Sequence, residues 1–165
     1  VVAKHDRAHE GLARQFKDHS IDRRYLAITS GVPAPPAGKI DQPLGRSERD
    51  RKKMAVRRLS QGKRAVTHYR TREVLDGAAL IECKLETGRT HQVRVHMAHI
   101  GHPLLGDPVY GHAGRHKALL ARIGFFRQAL HATRLGFIHP IDCTDLLFES
   151  PMPQDMQQLF SQLVI

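Results

Sequence analysis

Apolar residues recur every fourth position at Ala8, Leu12 and Phe16, the spacing of one face of an α-helix. Asp6 stands where a cap would start it, so a helix is predicted from Asp6 to about His19. Ahead of it, Val1-Val2-Ala3-Lys4 reads as the end of a buried strand. Arg23 to Thr29 is rich in β-compatible residues and stops at Gly31, which predicts a strand. Val32 to Gly45 carries Pro33, Pro35, Pro36 and Pro43 and is expected to be largely loop. Two strands, Ala65 to Leu75 and Ala78 to Glu86, are joined by Asp76-Gly77, a pair suited to the positive φ angles of a tight hairpin. In the second strand Ala79, Ile81, Cys83 and Leu85 alternate with Leu80, Glu82, Lys84 and Glu86, predicting one core face and one mostly wet face.

After Thr87-Gly88 the period changes. Val93, Met97 and Ile100 lie at helical spacing, predicting a helix within Thr90 to Ile100 whose free N–H groups face back toward Gly88 and Arg89 and favour an anion there. A helix over Lys117 to Arg127, strands over Ala129 to Phe137 and Leu146 to Glu149, and a helix after Pro153 with Met156, Leu159, Phe160 and Leu163 on one face complete the reading. Helices and strands mix without regular βαβ alternation. The pattern predicts a single domain over 1–165 with an α+β fold, a mixed, mostly antiparallel sheet flanked by helices. There is no internal repeat.

Charge changes the picture next. The 26 Lys and Arg exceed the 16 Asp and Glu by 10, an excess that fits a polyanionic partner. From Arg46 to Arg64 the basic residues include Arg49, Arg51, Lys52, Lys53, Arg57 and Arg58, opposed only by Glu48 and Asp50; such a one-sided run suits phosphates. The two cysteines, Cys83 and Cys143, are far apart and form no C-x-x-C pattern, which argues against a disulfide scaffold or a cysteine zinc site. No apolar run approaches the roughly 18 residues of a membrane helix, and no leader pattern opens the chain, so a cytoplasmic, membrane-free setting is expected.

The stretch from Leu85 to Gly111 holds the candidate chemistry. Arg89 and Arg94 sit among His91, Gln92, His96, His99 and His102, and Gly106-Asp107-Pro108-Val109-Tyr110-Gly111 closes the run. The four histidines raise the possibility of a metal, or of a metal-dependent nuclease. The chain has no H-E-x-x-H, and only Glu86 and Asp107 lie near them, so no metal site is assigned; the histidines are read as solvated or RNA-facing. Gly62-Lys63 lacks the rest of a P-loop, and neither G-x-G-x-x-G nor G-x-S-x-G occurs.

The run T-G-R-T-H-Q-V-R-V-H and the following G-H-P-L-L-G-D-P-V-Y-G, with Arg24-Tyr25-Leu26-Ala27 before and Gln128-Ala129-Leu130-His131-Ala132 after, resemble the RluA-type pseudouridine synthases. Met97-Ala98-His99 and Pro153-Gln154-Asp155-Met156 make the D-type enzymes, which act on the large ribosomal RNA, the nearest group. The resemblance covers essentially the whole chain. It implies an isomerase that breaks the N-glycosidic bond of a uridine in RNA, turns the base and rejoins it through carbon, with no metal or organic cofactor. It also implies a monomer acting on 23S-type ribosomal RNA. By motif, Tyr25 matches the tyrosine that stacks on the base and is a candidate for moving the proton at C5. Arg94 matches the arginine that pairs with a nucleophilic Asp, and Leu130 the apolar residue beside the site. An Arg fork suits a carboxylate, and a phenol suits a flipped base. Arg89, His91 and Gln92 are expected to hold phosphate or orient these groups, and Arg51, Lys52 and Lys53 to meet RNA. Asp107, placed before a proline, is read as a turn former.

The resemblance places the nucleophile in a His-Arg-Leu-Asp motif about eight residues before Val1. No such motif occurs in the 165 residues, nor does the RNA-binding S4 module common in the group. The expectation is therefore an N-terminally truncated catalytic domain, inactive alone, with Arg94 aimed at a carboxylate the chain lacks. The alternative is a stand-alone RNA-binding protein without catalysis.

Overall fold

The computed structural model describes residues 1–111 and 114–165. Helix α1 (Asp6–Lys17) buries Ala8 and Leu12, the latter against Ile21 and Phe137. Phe16, third on the predicted stripe, is 37% exposed. The cap is His5 rather than Asp6: the His5 Nδ1 accepts the Ala8 N–H at 3.2 Å, and Asp6 sits in the first turn, where a negative charge favours the helix dipole. The expected strand at Val1 to Lys4 is absent, and Val1 and Val2 are exposed. A strand needs a ladder partner, and among the described residues none pairs with this segment.

Six strands form one sheet in the order β2-β5-β6-β1-β7-β8, every neighbouring pair antiparallel. They are β1 (Asp22–Ser30), β2 (Ala37–Asp41), β5 (Val66–Leu75), β6 (Ala78–Leu85), β7 (Leu130–Ile138) and β8 (Asp145–Glu149). A two-stranded sheet pairs β3 (Leu44–Arg46) with β4 (Met54–Val56). The helices α2 (Gln92–His99), α3 (Lys117–Ile123) and α4 (Gln154–Ser161) complete the fold. This is the α+β architecture the periodicities predict.

The β5–β6 hairpin turns at Asp76-Gly77 as predicted, with Leu75 opposite Ala78 and Gly77 at φ +59. Three corrections arise where the sequence signal is short. β2 and β3 lie in the proline-rich stretch read as loop, because the prolines flank the strands rather than interrupt them. In β2 only Ile40 is buried, as an edge strand allows. β4 interrupts the basic run and is too short to display a period. α3 ends at Ile123, before the predicted Arg127, because Gly124 takes φ +69, a left-handed stop suited to glycine.

Ala79, Ile81, Cys83 and Leu85 enter a first core with Ala27 of β1 and Val93 and Met97 of α2. The face of β6 expected to be mostly wet is partly dry: Ala78 is buried and Leu80 packs against a second core with Ile28 of β1 and Met156 and Leu159 of α4. The sheet is covered on both sides, so simple alternation of apolar and polar residues does not describe it. A third patch, with Leu44, Ala65 and Val95 buried and Met54, Val56 and Tyr110 against them, docks the small sheet onto α2.

Burial pushes the Cys83 thiol up to about 12, whereas Cys143 is exposed. A thiol that cannot ionise does not attack a disulfide reagent. Titration with dithionitrobenzoate is expected to modify Cys143 quickly in the native protein and Cys83 only after denaturant is added; equal native rates would contradict this core.

Candidate active site

The turn between β6 and α2 is braced from inside. Gln92 is 3% exposed; its Oε1 accepts from the Thr87 hydroxyl at 2.7 Å and the Arg89 N–H at 3.0 Å. Its Nε2 donates to the Val66 carbonyl at 2.9 Å and the Thr67 hydroxyl at 3.0 Å. All hydrogen-bonding positions of the amide are filled by protein. Of the two roles expected of Gln92, holding phosphate or orienting its neighbours, the filled amide fits the second: it positions the Gly88–His91 turn. The Arg89 N–H, offered on sequence grounds to an anion, is taken by the same side chain. His91 is the residue before the helix and holds φ +55, a conformation costly for a residue with a Cβ.

In the first turn of α2, Arg94 is 8% exposed. Its Nε donates to Asp107 Oδ2 at 2.7 Å and its Nη2 to Oδ1 at 2.8 Å, the bidentate geometry of a strong ion pair. Arg94 thus already holds one carboxylate of this chain, Asp107, through two of its nitrogens. Asp107 Oδ1 also accepts the N–H groups of Val109 and Tyr110 at 2.9 and 3.0 Å, which folds the Gly106–Gly111 clasp as a turn. Burial raises the Asp107 pKa, but the Arg94 hydrogen bonds, the two N–H groups and the Arg94 charge together hold it below the ordinary 3.8. The Asp107 hydrogen bond in turn raises Arg94. Among the described residues the Arg94 Nη1 has no hydrogen-bond partner.

The clasp delivers Tyr110, a residue that sequence reasoning missed although it stands at the end of the G-D-P-V-Y-G run. The Arg94 guanidinium lies 4.9 Å from its ring centre. Its hydroxyl accepts the Met54 N–H of β4 at 2.9 Å and stands 3.0 Å from His91 Nδ1. With Met54 as donor, the hydroxyl proton is free to go to Nδ1, leaving a neutral His91 with its proton on Nε2. Burial, then the Arg94 charge, lower the His91 pKa, with Asp107 opposing and Arg46 adding to the fall.

Tyr25 of β1 lies opposite Cys83 of β6 and Ala132 of β7, and Leu130 lies opposite Ala27. Tyr25 and Leu130 are thus diagonal neighbours on one sheet face, and both pack against the first core together with Ile100. The ladder to β7 slips between Arg24 and Tyr25. Among the described residues the Tyr25 hydroxyl has no hydrogen-bond partner. The fold brings Tyr25 and Leu130 together directly; Arg94 joins them only through α2, whose Val93 and Met97 enter the same core. Arg51, Lys52 and Lys53 are exposed between β3 and β4, next to the Met54 that Tyr110 holds. The Arg89 Nε donates to the Arg64 carbonyl at 3.0 Å.

His96 is the clearest departure among the histidines read as solvated or RNA-facing. It is 0% exposed, with Nε2 2.9 Å from the Gln42 carbonyl and Nδ1 2.9 Å from the Thr67 hydroxyl. A carbonyl only accepts, so Nε2 carries the proton; burial lowers the pKa and keeps the ring neutral. Among the described residues no group of three or more His, Cys, Asp or Glu is placed to hold a metal ion.

Replacing Asp107 by Asn leaves Arg94 charged and buried without its partner, a change that costs about 3–5 kcal/mol. The wild-type pH dependence has a definite sign. Asp107 titrates lower folded than unfolded, so its contribution is complete above the unfolded value, near pH 4, and is lost as pH falls through the lower folded value. Urea denaturation across this range should show a steeper acid loss for the wild type than for Asp107→Asn; parallel curves would show that the pair contributes nothing.

A family profile described as RNA pseudouridylate synthase matches residues 1–99. The ribosomal large subunit pseudouridine synthase D of Zymomonas mobilis is 61% identical over 166 residues, covering 100% of this chain and 52% of that protein. An uncharacterized RNA pseudouridine synthase of Bacillus subtilis is 46% identical over 163 residues, covering 99% and 51%. The solved structure of human RNA pseudouridylate synthase domain containing 1 superposes with a TM-score of 0.73 at 26% identity, over 98% of this chain and 73% of that one. The chain spans about half the length of the curated relatives it matches. The matched segment includes Tyr25 of β1 and Arg94 of α2 and takes in more than half of the chain, and the chain belongs to the RNA pseudouridylate synthase family.

Proposed function

We propose that this chain is a portion of the catalytic domain of an RNA pseudouridine synthase that isomerises uridine in 23S-type ribosomal RNA, acting as a cytoplasmic monomer without metal or organic cofactor. The observation that carries the reading is an unpartnered phenol at Tyr25 on the first core and, on the helix whose Val93 and Met97 enter that core, an Arg94 guanidinium anchored by two of its nitrogens with Nη1 unused. In this reading a uridine flipped out of its strand stacks against Tyr25 beside Leu130. The Tyr25 hydroxyl then moves the proton at C5, and Arg94 Nη1 holds the attacking carboxylate charged and aimed. Asp107 is a poor candidate for that carboxylate, because its two oxygens already accept four N–H donors. The nucleophile is assigned to sequence outside residues 1–165, which contain no His-Arg-Leu-Asp run. The relatives' names supply the substrate class: those of Zymomonas mobilis and Xanthomonas campestris are both called ribosomal large subunit pseudouridine synthase D.

Tritium release from C5-labelled uridine in ribosomal RNA tests this. A polypeptide that includes a His-Arg-Leu-Asp segment ahead of Val1 should turn over. Tyr25→Phe within it should lower the rate by about two to four orders of magnitude, the range for removing a proton-transfer group. Sustained release by residues 1–165 alone would refute the outside carboxylate. RNA binding with no release from either polypeptide would instead favour a non-catalytic binder.

Binding itself should weaken with salt, since basic side chains displace counterions. Replacing exposed Arg51, Lys52 and Lys53 with Ala should flatten the plot of log affinity against log salt by about 2, at roughly 0.7 per phosphate neutralised on a single strand. An unchanged slope would take the β3–β4 connection off the RNA path.

A further inference from the structure

Away from Tyr25 and Arg94, a pocket of about 440 Å³ opens between the end of α1 and the Thr87–Arg89 turn. Four cationic or titratable side chains line it, Lys17, His19, Arg23 and Arg89, together with Phe16, and among the described residues no carboxylate does. Arg23 is its built part. The guanidinium lies 5.3 Å from the Phe16 ring centre and donates from Nη2 to the Glu86 carbonyl at 3.2 Å. Its Nε is buried without a partner. The Arg23 Nη1 lies close over Gly88, in the space a Cβ there would occupy.

Of the acids nearby, Asp22 pairs with Arg24 and Arg134 and Glu86 with Arg64 and His68; exposed Asp18, between Lys17 and His19, does not line the pocket. The last carbonyls of α1 are capped as well: those of Arg14 and Gln15 accept the Asp18 and Ser20 N–H groups, which reduces the negative end of the helix facing the pocket. A half-buried guanidinium with no carboxylate, flanked by exposed cations and an aromatic ring, is the arrangement that seats a phosphodiester and an adjacent base.

We infer that the Phe16, Lys17, His19, Arg23 and Arg89 pocket is a second RNA contact. It takes a backbone phosphate of a single strand between its cations and stacks the neighbouring base on Phe16. The inference rests on the reading of this protein as one that acts on RNA. It extends the RNA path to the far side of the Gly88 turn from the β3–β4 connection.

Fluorescence anisotropy with a labelled single-stranded RNA decides it. Lys17→Gln with His19→Gln alters only exposed groups, so its fold is secure; Phe16→Leu and Arg23→Gln follow. The double variant should lower the salt slope by about 0.7 for each phosphate no longer neutralised, and Phe16→Leu should weaken binding about tenfold by removing one stacked base. A control pair outside the pocket, Lys4→Gln with Arg7→Gln, should change affinity less than twofold. Inorganic phosphate at constant ionic strength should not displace the RNA. If the pocket variants match the control, or if phosphate alone displaces the strand while Phe16→Leu is silent, the pocket is not an RNA seat. Weakened binding by the pocket variants, with no tritium release from the otherwise wild-type polypeptide that includes a His-Arg-Leu-Asp segment ahead of Val1, would uphold the pocket and refute the isomerase; unchanged binding by those variants, with release from that polypeptide, would do the reverse.

Discussion

The site depends on the buried pair of Arg94 and Asp107. Taking two charges out of water costs several kcal/mol for each ion, and the cost is offset only where geometry is close to ideal. Here the two parallel Arg94 bonds and the two N–H groups from Val109 and Tyr110 fill the carboxylate. Because those N–H groups belong to the clasp itself, the same carboxylate that neutralises Arg94 also dictates the path of the backbone. Tyr110 then lands where its ring meets Arg94 and its hydroxyl holds the Met54 N–H. One ion pair thus sets the relative placement of α2, the clasp and the small sheet that carries the basic connection.

A second polar network works on the other side of α2. Gln92, Thr87, Thr67 and His96 link the helix to β5 and to the Gln42 carbonyl after β2. Apolar packing alone tolerates small slips along a helix, because dispersion contacts are non-directional. A buried amide or imidazole does not, since a slip strands its donors. The helix that presents Arg94 is therefore locked in rotation and in height. The first core supplies the adhesion and the polar network the register.

The two faces of the sheet divide the work. One packs α2 and holds Tyr25 and Leu130 at the margin of the first core. The other is closed by α4 with Met156 and Leu159 buried and by partly buried residues of α3, which makes it a scaffold. This leaves the α2 side as the face that carries Tyr25 and Leu130 beside the helix of Arg94.

The long periodic elements were legible in the chain. The four-residue spacing in α1, the alternation in β6 and the Asp76-Gly77 hairpin each express a local rule, and each element formed where its period placed it. The Tyr25, Arg94 and Leu130 candidates came from motif resemblance, and the charge run marked an exposed basic connection. The partners were not legible. β2 and β4 are strands only because β5 and β3 run beside them, His96 is buried only because Gln42 and Thr67 meet it, and Gln92 is a brace rather than a ligand because Val66 and Thr67 arrive from a different strand. Arg94 carried the signature of a carboxylate holder, yet nothing in its neighbourhood said that Asp107, thirteen residues on, would be the acid it holds. Periodicity and turn chemistry act between residues a few positions apart and are written into the chain itself. The acceptor of a buried donor is chosen by distances that exist only once the sheet, the helix and the clasp have packed.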